Sequence, residues 1–319
     1  MVTRDGSSSK RRTKRLVRYI LPLSLMGIFL IVLYVVFRMA FSPVGFRQTV
    51  VIVGDPVHVV SFDAKTKRAT VVDLPLDAVI SAALGYGKYS VGALLSLDEI
   101  DHRGGKLITS SISNTLGLPV QGHMIVPKIG DGNMDREMLQ EIFSYGSIAA
   151  VASQNIRGSI PLSAWVRLVL LARSLSADGL QIVSVEQALI ESVAPDGSTA
   201  RSVDESRIDY ILDTAFFDAG IRAEGTSVAI YNTTSVSSVG QRASRQLGRV
   251  GMQLVFVGNA EQEVERCVLS GNTDALKTKS AQFILAYYGC DVAKDSEQGK
   301  ETGADLVVLL GTEFANRYK

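Results

Sequence analysis

Residues 19–37, YILPLSLMGIFLIVLYVVF, contain no charged side chain, and this run constrains the rest of the chain more than any other feature. Nineteen helical residues rise roughly 28 Å, close to the hydrocarbon thickness of a bilayer of about 30 Å. Tyr19, Tyr34 and Phe37 stand near its ends, where aromatic rings favour the membrane interface. Pro22 falls in the first turn, where the missing N–H breaks no helical hydrogen bond. The run is long for the apolar part of a signal peptide, and no small-x-small cleavage site follows it. It predicts an uncleaved, single-pass transmembrane helix anchored in the lipid bilayer.

Charge orients that helix. Arg4, Lys10, Arg11, Arg12, Lys14, Arg15 and Arg18 stand against Asp5, so residues 1–18 carry +6. The formal total is +1, which leaves −5 for the other residues. Basic residues collect on the cytoplasmic side, so 1–18 is predicted to be a cytoplasmic basic segment and everything beyond about residue 40 extracytoplasmic. A mildly acidic body lacks the basic footprint that nucleic acid requires.

The only cysteines, Cys267 and Cys290, fall in the exported part. In an oxidising compartment they are a disulfide candidate, a closure that would contribute roughly 3 kcal/mol. Two small buried thiols are the other reading, and the sequence leaves both open. His58, His102 and His123 are scattered, without zinc-ligand spacing, and read as surface or core residues. There is no Gly-x-Ser-x-Gly elbow, Walker loop or His-Glu-x-x-His helix.

Along the exported part, VVIVGDPVHVVSF (50–62) reads as two β-branched strands around a Gly54-Asp55-Pro56 turn, and ATVVDLP (69–75) as a third. Helices are predicted at 106–118, at 135–146, at 161–177 with Pro161 at its start, and at 204–218, ending at Gly220. Trp165, Leu168, Val169 and Ala172 form a stripe that belongs to a core. Residues 221–226, IRAEGT, are polar and mark a boundary between domains 44–220 and 226–319. Beyond it, strand 227–232, helix 241–251, strand 252–259, helix 275–289 and strand 304–314 alternate. That pattern predicts a small parallel sheet covered by helices, and an α/β fold class.

The ordered set Val228-Ala229-Ile230-Tyr231-Asn232-Thr233-Thr234, the small-residue helix around Ala243, Val257-Gly258-Asn259 and Ala304-Asp305-Leu306-Val307-Val308-Leu309-Leu310-Gly311 resembles the LytR C-terminal domain of cell-envelope proteins. Upstream, VHVVSFDAKTKRATVVDLPLDAVI, GYGKYSVGAL and NTLGLPVQGHMIV resemble a worn LytR-CpsA-Psr domain. The members of that family are membrane-anchored outside the cell and transfer polymer from a polyprenyl-pyrophosphate lipid to peptidoglycan. The resemblance implies a site built on Asp77, which follows Leu74-Pro75-Leu76, with Lys88 from Gly85-Tyr86-Gly87-Lys88 and Asp55.

Three departures weaken that site. The family's Arg before the Asp is Leu76, so the planar fork that clamps a pyrophosphate is absent. The acidic Arg-Ser-Asp segment is missing, and NIRGSIPLSAW stands where the arginine-rich helix should be. One ammonium and two carboxylates suit a polyanionic ligand poorly unless Mg²⁺ bridges them through Asp55 and Asp77. The favoured reading is therefore a structural remnant in a non-catalytic envelope protein, needing no cofactor, that scaffolds or binds cell-wall polymer or partner proteins. The competing reading is a divergent Mg²⁺-dependent phosphotransferase attaching lipid-linked glycopolymer to peptidoglycan, with Asp77 and Asp55 on the metal and Lys88 on phosphate.

Overall fold

The near-continuous β-branched runs of residues 48–74 become the centre of a six-stranded sheet, as strands buried on both faces do. In the computed structural model β1 (Gln48–Val53), β2 (Val57–Asp63) and β3 (Arg68–Leu74) form an antiparallel meander. Parallel neighbours flank it: β6 (Gly122–Ile125) beside β1 and β8 (Leu180–Ser184) beside β3, with β7 (Arg157–Gly158) on the outer edge of β6. The structure describes residues 26–28, 30–31, 34, 46–126, 134–153, 156–193, 199–294 and 301–316.

The period-two alternation of these strands sorts their side chains onto two cores. Val50, Ile52, Val60, Phe62 and Val71 face α3 (Arg136–Ile142) and α5 (Leu162–Ser174), where Trp165, Leu168, Val169 and Ala172 are all buried as the stripe predicted. Val51, Val57, Val59, Val72 and Leu74 face the opposite way. They pack on α1 (Val91–Ile100), α2 (Lys106–Leu116), α6 (Glu205–Leu212) and a second sheet. That sheet runs β5 (Gly87–Ser90), β4 (Ala78–Ala82), β10 (Thr199–Val203), β9 (Leu189–Val193). The helix predicted at 135–146 is two helices. The buried Phe143 leaves helical geometry (ψ 50°) to set its ring against Phe62 and Trp165, and α4 (Tyr145–Ala152) restarts beyond it.

A five-stranded sheet carries the C-terminal part, in the order β12 (Gln253–Asn259), β11 (Ser227–Asn232), β15 (Leu306–Leu310), β13 (Val268–Gly271), β14 (Asp291–Lys294). The first three strands are parallel as expected; β13 is antiparallel to β15. The sheet is therefore mixed. Strands β13 and β14 are four residues each, too short to show a period in the sequence. Cys267 and Cys290, each one residue ahead of its strand, are joined in a disulfide that ties these parallel neighbours at their starts. Helices α8 (Val239–Arg249) and α9 (Lys279–Tyr288) bury Val239, Ala243, Leu247, Phe283 and Ile284 on the sheet.

Most of residues 221–226 lie in a short helix. Helix α6 stops at Leu212, and α7 (Ala219–Glu224) buries Gly220 and Ile221. The Asp218 carboxylate caps α7 through the N–H groups of Gly220 (2.8 Å) and Ile221 (3.1 Å) and also accepts from the Arg47 N–H at 2.9 Å. Glu224 in turn accepts from the N–H groups of Lys279 and Ser280 at the start of α9. Asp218 thus satisfies buried donors, while residues 222–225 stay exposed and Glu224 caps α9 from the surface.

Helix α8 docks on α2 and α6 through a polar network. Arg245 donates to Asp209, Glu205 and the carbonyls of Asn114 and Thr115, while the buried Gln246 donates to Ser113. Arg249 donates to the carboxylate and carbonyl of Asp209. Residues Val44–Lys319 consequently form one compact unit, apart from Met1–Pro43. The predicted membrane span at 19–37 lies outside the described residues except for 26–28, 30–31 and 34, which are helical and expose Met26, Ile28, Leu30, Ile31 and Tyr34. Among the described residues no helix is long and apolar enough to cross a membrane.

Candidate functional site

Strands β1, β3 and β8 run in one direction, so the turns after them share one end of the sheet. Asp55, in a cis Asp55-Pro56 turn, and Asp77, just past β3, both stand there, on neighbouring turns. Asp77 belongs to a tight turn closed by the Ala78 N–H on the Pro75 carbonyl at 3.1 Å. Leu76 points the other way: its side chain packs on the core and its carbonyl accepts from the Gly92 N–H at 2.9 Å.

A guanidinium does reach Asp77, from a residue that motif reading did not single out. Strand β10 pairs in parallel with β4, placing Arg201 opposite Ala78. Its Nη1 lies 3.2 Å from Asp77 Oδ2 and its Nη2 lies 2.5 Å from Glu186 Oε2, at the end of β8. The hydrogen bond that Arg201 donates to Asp77, and with it the charges of both carboxylates, raise the Arg201 pKa against the opposing effect of desolvation. The three side chains sum to −1, and both acids are more than half exposed. Only the fold could reveal this group, because 124 residues separate Arg201 from Asp77.

Lys88 does not join them. It sits on β5 opposite Ser81, four residues along β4 from Asp77, or roughly 13 Å at strand spacing. The Gly85-Tyr86-Gly87 segment is the turn of the β4–β5 hairpin; Leu84, Gly85 and Gly87 adopt positive φ there, the conformations such a turn demands. Asp55 makes no side-chain hydrogen bond or ion pair among the described residues. Mg²⁺ keeps several waters and is usually held through one or two carboxylates together with ligand phosphates. Asp77 is committed to Arg201, and among the described residues no group of three or more His, Cys, Asp and Glu side chains is arranged to hold a metal. Below the mouth, fully buried Val57, Leu74, Leu94, Leu107 and Ile112 fill the interior.

The histidines divide as core and surface. His58 is fully buried with Nδ1 2.6 Å from Asp73 Oδ1, and His102 is exposed. His123 on β6 is nearly buried; its Nδ1 meets Ser159 Oγ at 3.0 Å and its ring occupies the space a side chain at Gly105 would need. Burial lowers its pKa, and the nearby Asp98 opposes the shift. Asp98 is itself spent capping α2 through Gly105, Leu107 and Ile108.

The described residues thus form a mixed α/β chain with an acid–guanidinium–acid cluster at the strand ends and a helix-covered C-terminal sheet. Residues 225–314 match the family described as LytR cell envelope-related transcriptional attenuator. Among solved structures the chain resembles the transcriptional regulator yvhJ from Bacillus subtilis, with 12% identity and a TM-score of 0.39 over 52% of this chain and 94% of that one. It also resembles B. subtilis TagT, at 13% identity and a TM-score of 0.36 over 52% of this chain and 88% of the other. A third is the LytR-CPS2A-psr family protein YwtF (TagT) with bound octaprenyl pyrophosphate lipid, at 14% and 0.37 over 54% and 89%. No curated protein matches the chain in sequence. At these identities and TM-scores the structural likenesses carry no statement about what this chain binds.

Proposed function

We propose that this chain is a membrane-anchored envelope protein, with residues 1–18 in the cytoplasm and both α/β parts outside. There it binds or scaffolds wall polymer without transferring it. The anchor is supported by the uncharged run 19–37 behind a +6 segment, and the envelope setting by the match of residues 225–314. The observation that carries the non-catalytic reading is the Asp77–Arg201–Glu186 cluster. Arginine stabilises a pyrophosphate when its donors are free to fork onto it in a dry site. Here two carboxylates occupy that fork, the local charge is −1, and the cluster is open to water.

Arg201 is also the one feature favouring the competing reading, a divergent glycopolymer transferase, because it restores a guanidinium that Leu76 lacks. One assay separates the two. The full chain is mixed with polyprenyl-pyrophosphate-linked glycopolymer, peptidoglycan and Mg²⁺, and polymer transfer is followed. No transfer, and no change on Asp77→Ala, is the expected outcome. Transfer abolished by Asp77→Ala would establish the transferase. Topology is checked by protease added to spheroplasts, which should digest everything past about residue 40; a protected C-terminal end would refute the anchor's orientation.

A further inference from the structure

We propose that the β2–β3 turn, residues 63–68, is a contact surface for the anionic headgroups of a lipid bilayer. Seated there, it turns the Asp55 and Asp77 end of the sheet away from the membrane. The inference rests on the anchor proposed above and adds an orientation to it.

Strand direction places the turn. β1 starts at Gln48 and runs toward the turn that holds Asp55, and β2 runs back antiparallel, with Phe62 opposite Gln48. The turn after β2 therefore lies beside the start of β1. Ten residues, 38–47, separate the uncharged run from β1, a reach of at most about 35 Å. The turn thus stands at the tethered end of the sheet.

Its charges are free. Ala64, Lys65, Thr66, Lys67 and Arg68 are consecutive exposed residues. The hydrogen bonds of the turn run through its backbone. Asp63 Oδ1, on a buried side chain, accepts from the N–H groups of Lys65 (2.9 Å) and Thr66 (3.2 Å). The Lys67 carbonyl accepts from the Ser176 N–H at 3.2 Å. The three cationic heads are left without an ion pair among the described residues, whereas Arg201, Arg245, Arg249 and Arg266 each hold a carboxylate. Arg173, exposed in the last turn of α5, adds a fourth cation over the Tyr145 ring at 4.7 Å. Residues 63–68 and the 173–179 segment packed on them therefore hold four cations against Asp63 and Asp178, or 4 − 2 = +2. At the other end Asp55, Asp77 and Glu186 stand with Arg201, or 1 − 3 = −2. The seven residues of β2 separate these ends by roughly 20 Å, two Debye lengths at about 0.1 M salt. An anionic bilayer attracts the first end and repels the second. A wall polyanion offers the same charge, but the tether keeps this end beside lipid.

The test uses the full chain in nanodiscs, with a fluorophore on Thr66→Cys at the turn or on Gln187→Cys beside Glu186. The native cysteines are bridged, so each label is selective. A lipid with a nitroxide on its headgroup reports proximity by quenching. In a bilayer about one-third phosphatidylglycerol, quenching at Thr66→Cys should exceed that at Gln187→Cys about threefold or more. In pure phosphatidylcholine, or at about 1 M salt, where the Debye length falls to about 3 Å, that excess should drop by half or more. Joint Lys65→Gln, Lys67→Gln and Arg68→Gln should lower it equally with an unchanged melting temperature. Joint Lys65→Arg, Lys67→Arg and Arg68→Lys should preserve it. Equal quenching at both positions, an excess unchanged in neutral lipid, or indifference to the glutamine variant overturns the proposal. Glutamine-sensitive binding to purified cell wall without quenching at Thr66→Cys assigns the cations to a wall polyanion and also overturns it. Flotation separates this result from the anchor. A chain that floats with vesicles at high salt yet shows no excess keeps the anchor and loses the contact surface. A chain that floats only with anionic vesicles and is released by salt keeps the surface and refutes the anchor.

Discussion

Replacing Asp209 by alanine tests whether the two α/β parts are held together by a specific polar clamp. One oxygen of Asp209 accepts from Arg245 Nε (3.0 Å), Arg245 Nη2 (2.8 Å) and Arg249 Nη2. The two arginines differ in what remains. Arg245 keeps Glu205 at 3.0 Å and the carbonyls of Asn114 and Thr115. Arg249, with a side chain 6% exposed, keeps only the Asp209 carbonyl, and its Nε already lacks a partner. Burial lowers the Arg249 pKa, and Asp209 is the leading influence that opposes this. Stranding a fully buried charge costs about 3–5 kcal/mol, whereas an exposed pair contributes about 0–1. Asp209 is 41% exposed, so water recovers part of the loss. The expected destabilisation is therefore about 2–3 kcal/mol, a fall in melting temperature of roughly 5 °C for a chain of this size. Urea unfolding of the full chain followed by circular dichroism measures it. Adding Arg249→Met to Asp209→Ala removes the stranded charge and should return the loss to about 1 kcal/mol or less. A single variant within about 0.5 kcal/mol of the parent, or losses that simply add, would refute the clamp.

Gly105→Ala should destabilise by about 2–4 kcal/mol, since φ is +83° and the new Cβ would stand 1.7 Å from His123 Cε1; thermal melts should show part of the loss restored in a His123→Ala background. Because burial depresses the His123 pKa, the unfolded chain binds a proton below the ordinary value of 6.5 while the folded chain does not, so this residue's contribution to stability falls as pH drops below 6.5. His123→Gln should flatten that segment of a stability–pH curve, and an unchanged curve would contradict the burial effect. Mass-spectrometric mapping without reduction should recover Cys267 and Cys290 as one cross-linked pair. Cys267→Ser should then lower stability by about 3 kcal/mol, and two freely alkylated thiols would dispose of both expectations.

Much of this architecture was legible because local signals agree with the fold. The strands at 48–53, 57–63, 68–74 and 227–232 follow from short runs rich in β-branched residues bounded by turn residues. Helix ends are equally local. Gly117 and Gly289 close α2 and α9 in left-handed geometry, and Pro161 opens α5. Elements without a periodic stretch of their own stayed hidden. Strands β4 and β5 looked like a glycine loop, β13 and β14 are too short for a pattern, and α7 is a six-residue helix whose exposed polar side hides the buried Ile221.

The candidate site divides along the same line. Sequence by itself determined that Leu76 stands where a family arginine is expected and that the chain holds two cysteines; identity at a position needs no fold. It also determined the uncharged run behind a basic segment, because membrane partitioning sums over consecutive residues. Only the tertiary structure decided that Arg201 lies on Asp77 and Glu186, that Lys88 stands about four strand residues away, and that Ser176 bonds the Lys67 carbonyl. Charge interactions act over a few ångströms of space, and strand pairing brings together side chains more than a hundred residues apart.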